Sequence, residues 1–108
     1  MRKLTVKRKW SLVECASRIR LYIQCPADIA SCTIGDKFYR EYPLKNGKSV
    51  TADILDEPTG ILIESSTMQT FYTVPEGNVD LTLIAKPHYN PAQGNPFTFS
   101  DTDGNVLA

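Results

Sequence analysis

Three cysteines, one histidine and a scatter of carboxylates are the side chains of this sequence with the means to do chemistry, so their spacing comes first. Cys25 and Cys32 are separated by six residues, wider than the C-x2–4-C spacing of zinc pairs, and Cys15 and His88 are remote from both. The cysteines read as small buried hydrophobes, or as one Cys25–Cys32 disulfide if the protein is exported. Nucleophilic Cys–His chemistry would have to use His88, which stands in a proline-rich stretch beside Tyr89 with no orienting partner nearby. Asp101-Thr102-Asp103-Gly104 has the look of half a calcium loop, but the closing bidentate Glu would fall beyond Ala108, so an Asp-Gly turn is the reading. The acidic pair Asp56-Glu57 lies in a turn signal and reads as solvated rather than as a general acid and base. There is no Gly-rich phosphate cradle and no G-x-S-x-G elbow. The expectation is a non-enzyme without metal or cofactor.

Cations remain as the candidate surface. Lys3 and Lys7 alternate with Leu4 and Val6, and Arg18, Arg20 and Tyr22 alternate with Ile19, Leu21 and Ile23. If those two segments were neighbouring strands, they would join into one basic face with an aromatic ring among its charges. Oligonucleotide-binding sheets are built that way. The competing expectation is cross-strand pairing of these cations with acids such as Asp53, Glu64 and Asp80. Tyr89, in the loop 87–96, is the aromatic expected to be exposed, which would suit stacking on a sugar or on another protein.

The elements that would hold these groups are strands. Period-2 alternation also runs through Phe38–Tyr42, Val50–Ile54, Ile61–Ile63, Phe71–Thr73, Val79–Ala85 and Phe97–Phe99. Turn chemistry separates them. Asn46-Gly47 suits a type I′ hairpin, Glu57-Pro58-Thr59-Gly60 and Val74-Pro75-Glu76-Gly77 place proline at the second turn position, and Asp103-Gly104 is a fourth signal. Ser11-Leu12-Val13-Glu14 matches a helix capping box with Trp10 as its staple, so a short helical turn over 11–16 is expected. Residues 12–23 also carry apolar groups at helical spacing, although the alternation of 18–24 before Cys25-Pro26 favours a strand there. Both readings stay open.

At 108 residues, 42% hydrophobic and 22% charged, the chain suits one domain over residues 1–108 with a real core, and it is not disordered in composition. No segment approaches the length of a membrane span. Twelve basic and twelve acidic side chains cancel to a net charge of zero. The cancellation is uneven: residues 1–50 hold eleven basic and four acidic groups, residues 51–108 one basic and eight acidic.

Val6-Lys7-Arg8-Lys9, Cys15-Ala16, Leu21-Tyr22-Ile23, Leu44-Lys45-Asn46-Gly47-Lys48 and Val74-Pro75-Glu76-Gly77 together resemble small bacterial immunoglobulin-like, PEGA-like β-sandwich domains. The resemblance spans residues 4–77 and implies a binding or scaffold module without catalysis. It departs from the family at Gln24-Cys25-Pro26, where an Asp-Gly turn is replaced by an extra segment reaching Asp36, and at 55–73, where a further hairpin intervenes. The expected architecture is thus an all-β, antiparallel, immunoglobulin-like sandwich of seven to eight short strands. Its expected role is binding a protein or forming part of a larger assembly, with weak self-association through edge strands. A nucleic-acid-binding barrel and a carbohydrate-binding sandwich are the alternatives. The compartment is left open.

Overall fold

The computed structural model describes residues 1–11, 18–65, 68–87 and 97–108. These residues form two β-sheets packed face to face. Strands β1 (Arg2–Arg8), β5 (Ser49–Ile54), β8 (Leu81–Pro87) and β9 (Phe97–Ser100) make a four-stranded sheet in the order β5-β1-β8-β9. Strands β2 (Arg20–Gln24), β3 (Cys32–Ile34), β4 (Lys37–Pro43), β6 (Thr59–Glu64) and β7 (Gln69–Val74) make a five-stranded sheet in the order β3-β4-β2-β6-β7. A single 3₁₀ turn, Ala27–Ile29, precedes β3. Among the described residues no helix is long and apolar enough to cross a membrane.

Alternation places the core between the sheets. Leu4, Val6, Ile54, Leu83, Ala85, Phe97 and Phe99 project from the first sheet onto Leu21, Ile23, Ile61, Ile63 and Val74 of the second. Residues 20–24 are strand, with Leu21 and Ile23 both in that core. Their alternation with Arg20, Tyr22 and Gln24 outweighs the helical spacing. The expected helical turn over 11–16 lies outside the described residues except for Ser11, which exchanges two hydrogen bonds with the Asn46 side chain at 3.0 and 3.1 Å.

Three expectations change. The sandwich is not purely antiparallel, because β1 pairs parallel with β8, with Leu4 beside Leu81 and Arg8 beside Ala85. The route of the chain explains this. The chain enters β5 from the end where β1 finishes, so β5 runs opposite to β1. It enters β8 from the end where β1 starts, after Val74-Pro75, so β8 runs with it. Second, the described residues form nine strands, the addition being β3 in the segment that departs from the family pattern. It pairs with β4 through the two-residue turn Gly35-Asp36, where Gly35 has φ +64° and no other residue type adopts positive φ among the described ones. Glycine first in a two-residue hairpin is the type II′ arrangement, whose twist suits the strands. Third, Asn46-Gly47 is not a type I′ hairpin. Only Gly47 has positive φ (+74°), Lys48 N–H donates to Lys45 O at 2.9 Å, and β4 and β5 lie in different sheets. That is the pattern of a type II turn carrying the chain from one sheet to the other.

Arg2 and Arg8 project from β1 into the interior at its two ends, each 3% exposed. Arg2 gathers three backbone carbonyls, Leu55 O at 3.2 Å, Glu57 O at 3.2 Å and Pro75 O at 2.6 Å. It thereby ties the β5–β6 and β7–β8 connections together. Arg8 donates to Leu44 O at 2.9 Å and lies 5.2 Å over the Phe97 ring. Buried guanidinium groups are tolerated where carbonyls and a ring face replace water.

The outer face of the five-stranded sheet carries a small second cluster of Tyr22, Tyr39 and Leu62, with Cys32 and Ile34 packed against it. The Tyr39 ring reaches across the sheet to Gly60 of β6, where an added Cβ would stand 2.6 Å from the Tyr39 hydroxyl. Gly60, expected in a turn, is thus a strand glycine that makes room for a ring.

Candidate basic end

The two sheets share a strand axis, and charge is sorted along it. β1 begins beside Ile54, where the loops carrying Asp56, Glu57, Glu76 and Asp80 gather. It ends beside Ser49 at Lys7-Arg8-Lys9, where the turn 44–48 brings Lys45 and Lys48. Arg18 and Arg20 enter β2 at this same end, since Leu44 N–H donates to Ile19 O at 3.0 Å and Arg20 pairs with Pro43. The split between basic and acidic halves therefore maps in the main onto opposite ends of the strands, with Lys3 and Lys37 at the acidic end and Glu41 and Glu64 at the basic one.

Two adjoining clefts open on the basic end. One, of about 630 Å³, is lined by Arg8, Arg18, Arg20, Lys45 and Lys48 around Ile19, Pro43 and Leu44, with Glu41 at its border. The other, of about 550 Å³, lies between Lys7, Lys9, Lys48 and Trp10. Trp10 is 60% exposed and rests against Gly47, its Cδ1 3.4 Å from where a Cβ there would stand. The frame is fixed by backbone and buried groups: Arg8 N–H to Lys48 O at 2.9 Å, the Asn46–Ser11 pair and the buried Arg8 tie the turn to the end of β1. Among the described residues no carboxylate lies within 4 Å of Lys7, Lys9, Arg18, Lys45 or Lys48.

The expected site residues divide between surfaces. Lys3 and Lys7 project from the outer face of the four-stranded sheet, while Arg20 and Tyr22 project from the outer face of the other sheet. β1 and β2 are therefore not neighbours, and the single basic and aromatic face expected of them does not form. Lys3 stands opposite Asp53, and its backbone N–H donates to Asp80 Oδ1 at 2.8 Å. Arg20 is flanked by Glu41 at 3.5 Å and Glu64 at 3.8 Å, and the Tyr22 hydroxyl, then Glu41, raises its pKa above the ordinary arginine value. Cross-strand ion pairing thus accounts for Arg20, whereas Lys3 meets Asp80 through its backbone N–H. Tyr22 is 8% exposed and belongs to the outer cluster. Tyr89 lies outside the described residues, as do Cys15 and His88. Lys7 and Arg18 reach the basic end, where Arg8, Lys9, Lys45, Asn46 and Lys48 join them. The sequence displayed Asn46, between Lys45 and Lys48, as turn chemistry, but that the turn crosses between sheets beside Arg8 and Lys9 is a tertiary fact.

Among the described residues the cysteines are Cys25 and Cys32, free thiols on opposite flanks of β4, Cys25 N–H donating to Phe38 O and Cys32 pairing with Tyr39. Burial pushes the Cys25 thiol up, which lowers its thiolate fraction at neutral pH. Among the described residues no group of three His, Cys, Asp or Glu side chains is placed to hold a metal ion. No family model, curated protein or solved structure matches the chain.

Proposed function

We propose that this chain is a non-catalytic binding module that docks an acidic protein surface with its basic end. The observation that carries the reading is the sorting of charge along the strand axis, with Lys7, Lys9, Arg18, Lys45 and Lys48 around the exposed Trp10. Cations with no carboxylate within 4 Å among the described residues are available to a partner, and such complementarity steers encounter and fixes orientation. An exposed ring beside aliphatic lysine stems adds the apolar contact that interface anchors use. The reading takes the two-sheet body as a scaffold for binding rather than for chemistry, as the sequence resemblance to immunoglobulin-like modules implies.

A specific observation favours a second reading: Trp10 among cations is also the equipment of a single-strand nucleic-acid site. The acidic end weighs against it, because an extended polyanion would be repelled along the rest of the body. The deciding experiment titrates the protein with a polyglutamate peptide and, in parallel, with a single-stranded oligonucleotide, following Trp10 fluorescence. The reading expects polyglutamate binding that weakens roughly tenfold between ~0.05 and ~0.5 M salt and is lost in the variant Lys45→Glu/Lys48→Glu. Tighter binding of the oligonucleotide would favour the second reading. Failure of both probes, or binding that ignores salt and the variant, would overturn the basic end as a docking site.

A further inference from the structure

Four strands end the two sheets, and three of these edges are covered, held by side chains against the opposite sheet, or short. β9 is covered by the chain's own residues 105–108, with Leu107 N–H donating to Phe99 O at 2.7 Å, Phe99 N–H to Ala108 O at 2.8 Å and a bridge between Ser100 and Val106. β7 is tied to the opposite sheet, where Thr70 Oγ1 donates to Phe97 O at 2.6 Å and Tyr72 packs on Phe99. β3 is only three residues long, which is itself a protection. The remaining edge, β5, has six residues, Ser49–Ile54, with no proline or lysine among them and no described residue paired on its outer side.

The register states which groups that edge offers. Arg8 N–H bonds Lys48 O, and antiparallel pairs alternate between bonded and non-bonded, so Val50, Ala52 and Ile54 turn their backbone groups toward β1. The close approach of Thr5 Oγ1 and Thr51 Oγ1, 2.9 Å, fits a non-bonded pair. Ser49, Thr51 and Asp53 therefore present their N–H and C=O groups outward.

We infer that β5 is the interface through which two copies of this chain pair, antiparallel and about a two-fold axis at Thr51. Centred there, Thr51 meets Thr51 of the second copy and Ser49 meets Asp53 on either side. Every outward backbone group then finds a partner, and the two four-stranded sheets become one continuous sheet. Charge selects this arrangement over a parallel one. Because basic and acidic groups lie at opposite ends of the strand axis, antiparallel pairing sets the basic end of each copy beside the acidic end of the other. Lys48 comes opposite Ile54 of the second copy, next to its Asp53 and two residues from its Asp56. The contact is isologous, so it closes at two copies and does not propagate. It shares Lys7 and Lys48 with the basic end, but Thr51→Pro leaves every cation of that end in place, so loss of pairing in that variant with polyglutamate binding retained separates the two readings.

The test is the mass of the full chain by sedimentation equilibrium at low salt over a concentration series. The proposal expects a species of twice 12.1 kDa that dissociates as salt rises. Thr51→Pro removes an N–H that the monomer does not use, a position where edge strands accept proline, so the variant should keep its circular dichroism and run at 12.1 kDa. Asp53→Lys, which puts like charge against Lys48 and Lys7 of the second copy, should also be monomeric. A wild-type chain that stays monomeric at millimolar concentration and low salt would overturn the inference. So would a dimer that survives in both folded variants.

Discussion

Arg2 carries more of the architecture than its surface-type side chain suggests. Its guanidinium stands where three carbonyls from two connections converge, and no other donor reaches them all. Arg2→Met would keep the apolar stem and strip the donors, leaving buried carbonyls unpaired. A loss of about 3 kcal/mol in denaturant-unfolding stability is expected, with Arg2→Lys recovering part of it. Gly60 makes the opposite argument, through an absence. A methyl group there would meet the Tyr39 hydroxyl at 2.6 Å and Phe71 at 3.1 Å. Gly60→Ala should cost about 1–3 kcal/mol by overpacking. Tyr39→Phe, which withdraws the obstructing oxygen, should restore much of that in the double variant. Additive losses in the cycle would contradict the account of why this strand contains glycine.

At the scale of elements, the Asp101 turn shows how a local signal can govern an edge. Asp101 Oδ1 accepts the N–H groups of Asp103 and Asn105 at 3.0 and 2.9 Å, and Oδ2 accepts the Asn105 side-chain amide at 3.0 Å. Gly104 supplies φ +92° in the same turn. The Asn105 side chain, then the backbone amides, holds the Asp101 carboxyl below the usual carboxylate range. A depressed folded-state pKa means that the stabilisation is complete above the unfolded value and is lost as pH falls through the folded one. Hydrogen exchange at Phe99 and Leu107, whose amides hold residues 105–108 on β9, should therefore speed up selectively in acid. Asp101→Ala should produce the same loosening at neutral pH. A pH-independent protection of those amides would contradict this. β4 supplies another element-level test, because it stands between Cys25 and Cys32. Strands are ~4.8 Å apart, so cysteines two strands apart exceed the ~7 Å limit for a bridge. Mild oxidation of the folded protein should leave the Cys25–Cys32 pair unbridged, as peptide mapping by mass spectrometry would report. The strands themselves were legible in the sequence because alternation records burial on one face, as at Leu21 and Ile23. β3 was missed because three residues are too few to show a period, though Gly35-Asp36 directly after it was a hairpin signal. Asn46-Gly47 was legible as a turn but not as a crossing, since the same dipeptide serves both and only the sheet that receives β5 decides.

For the whole molecule, a net charge of zero conceals a polar body. The sequence displayed the imbalance between halves, but a chain that crosses between sheets four times could have interleaved those halves. Among the described residues it does so by ion pairs at the Met1 amino group with Asp56 and at Arg20 with Glu64. Elsewhere the common strand axis collects cations at the turn 44–48 and acids at the loops after β5 and β7. The candidate surface was half legible for that reason: Lys7 and Arg18 were visible as cations, but their meeting at an end rather than on a face depends on β1 and β2 belonging to different sheets. The most direct test of the basic end as docking surface is amide and indole NMR mapping on the labelled full chain, titrated with polyglutamate at low salt. The account predicts shifts concentrated at Lys7, Lys9, the Trp10 indole, Arg18 and residues 44–48, fading as salt is added. Shifts concentrated on the Tyr22–Tyr39–Leu62 face or spread evenly over the molecule, or no shifts at all, would contradict it.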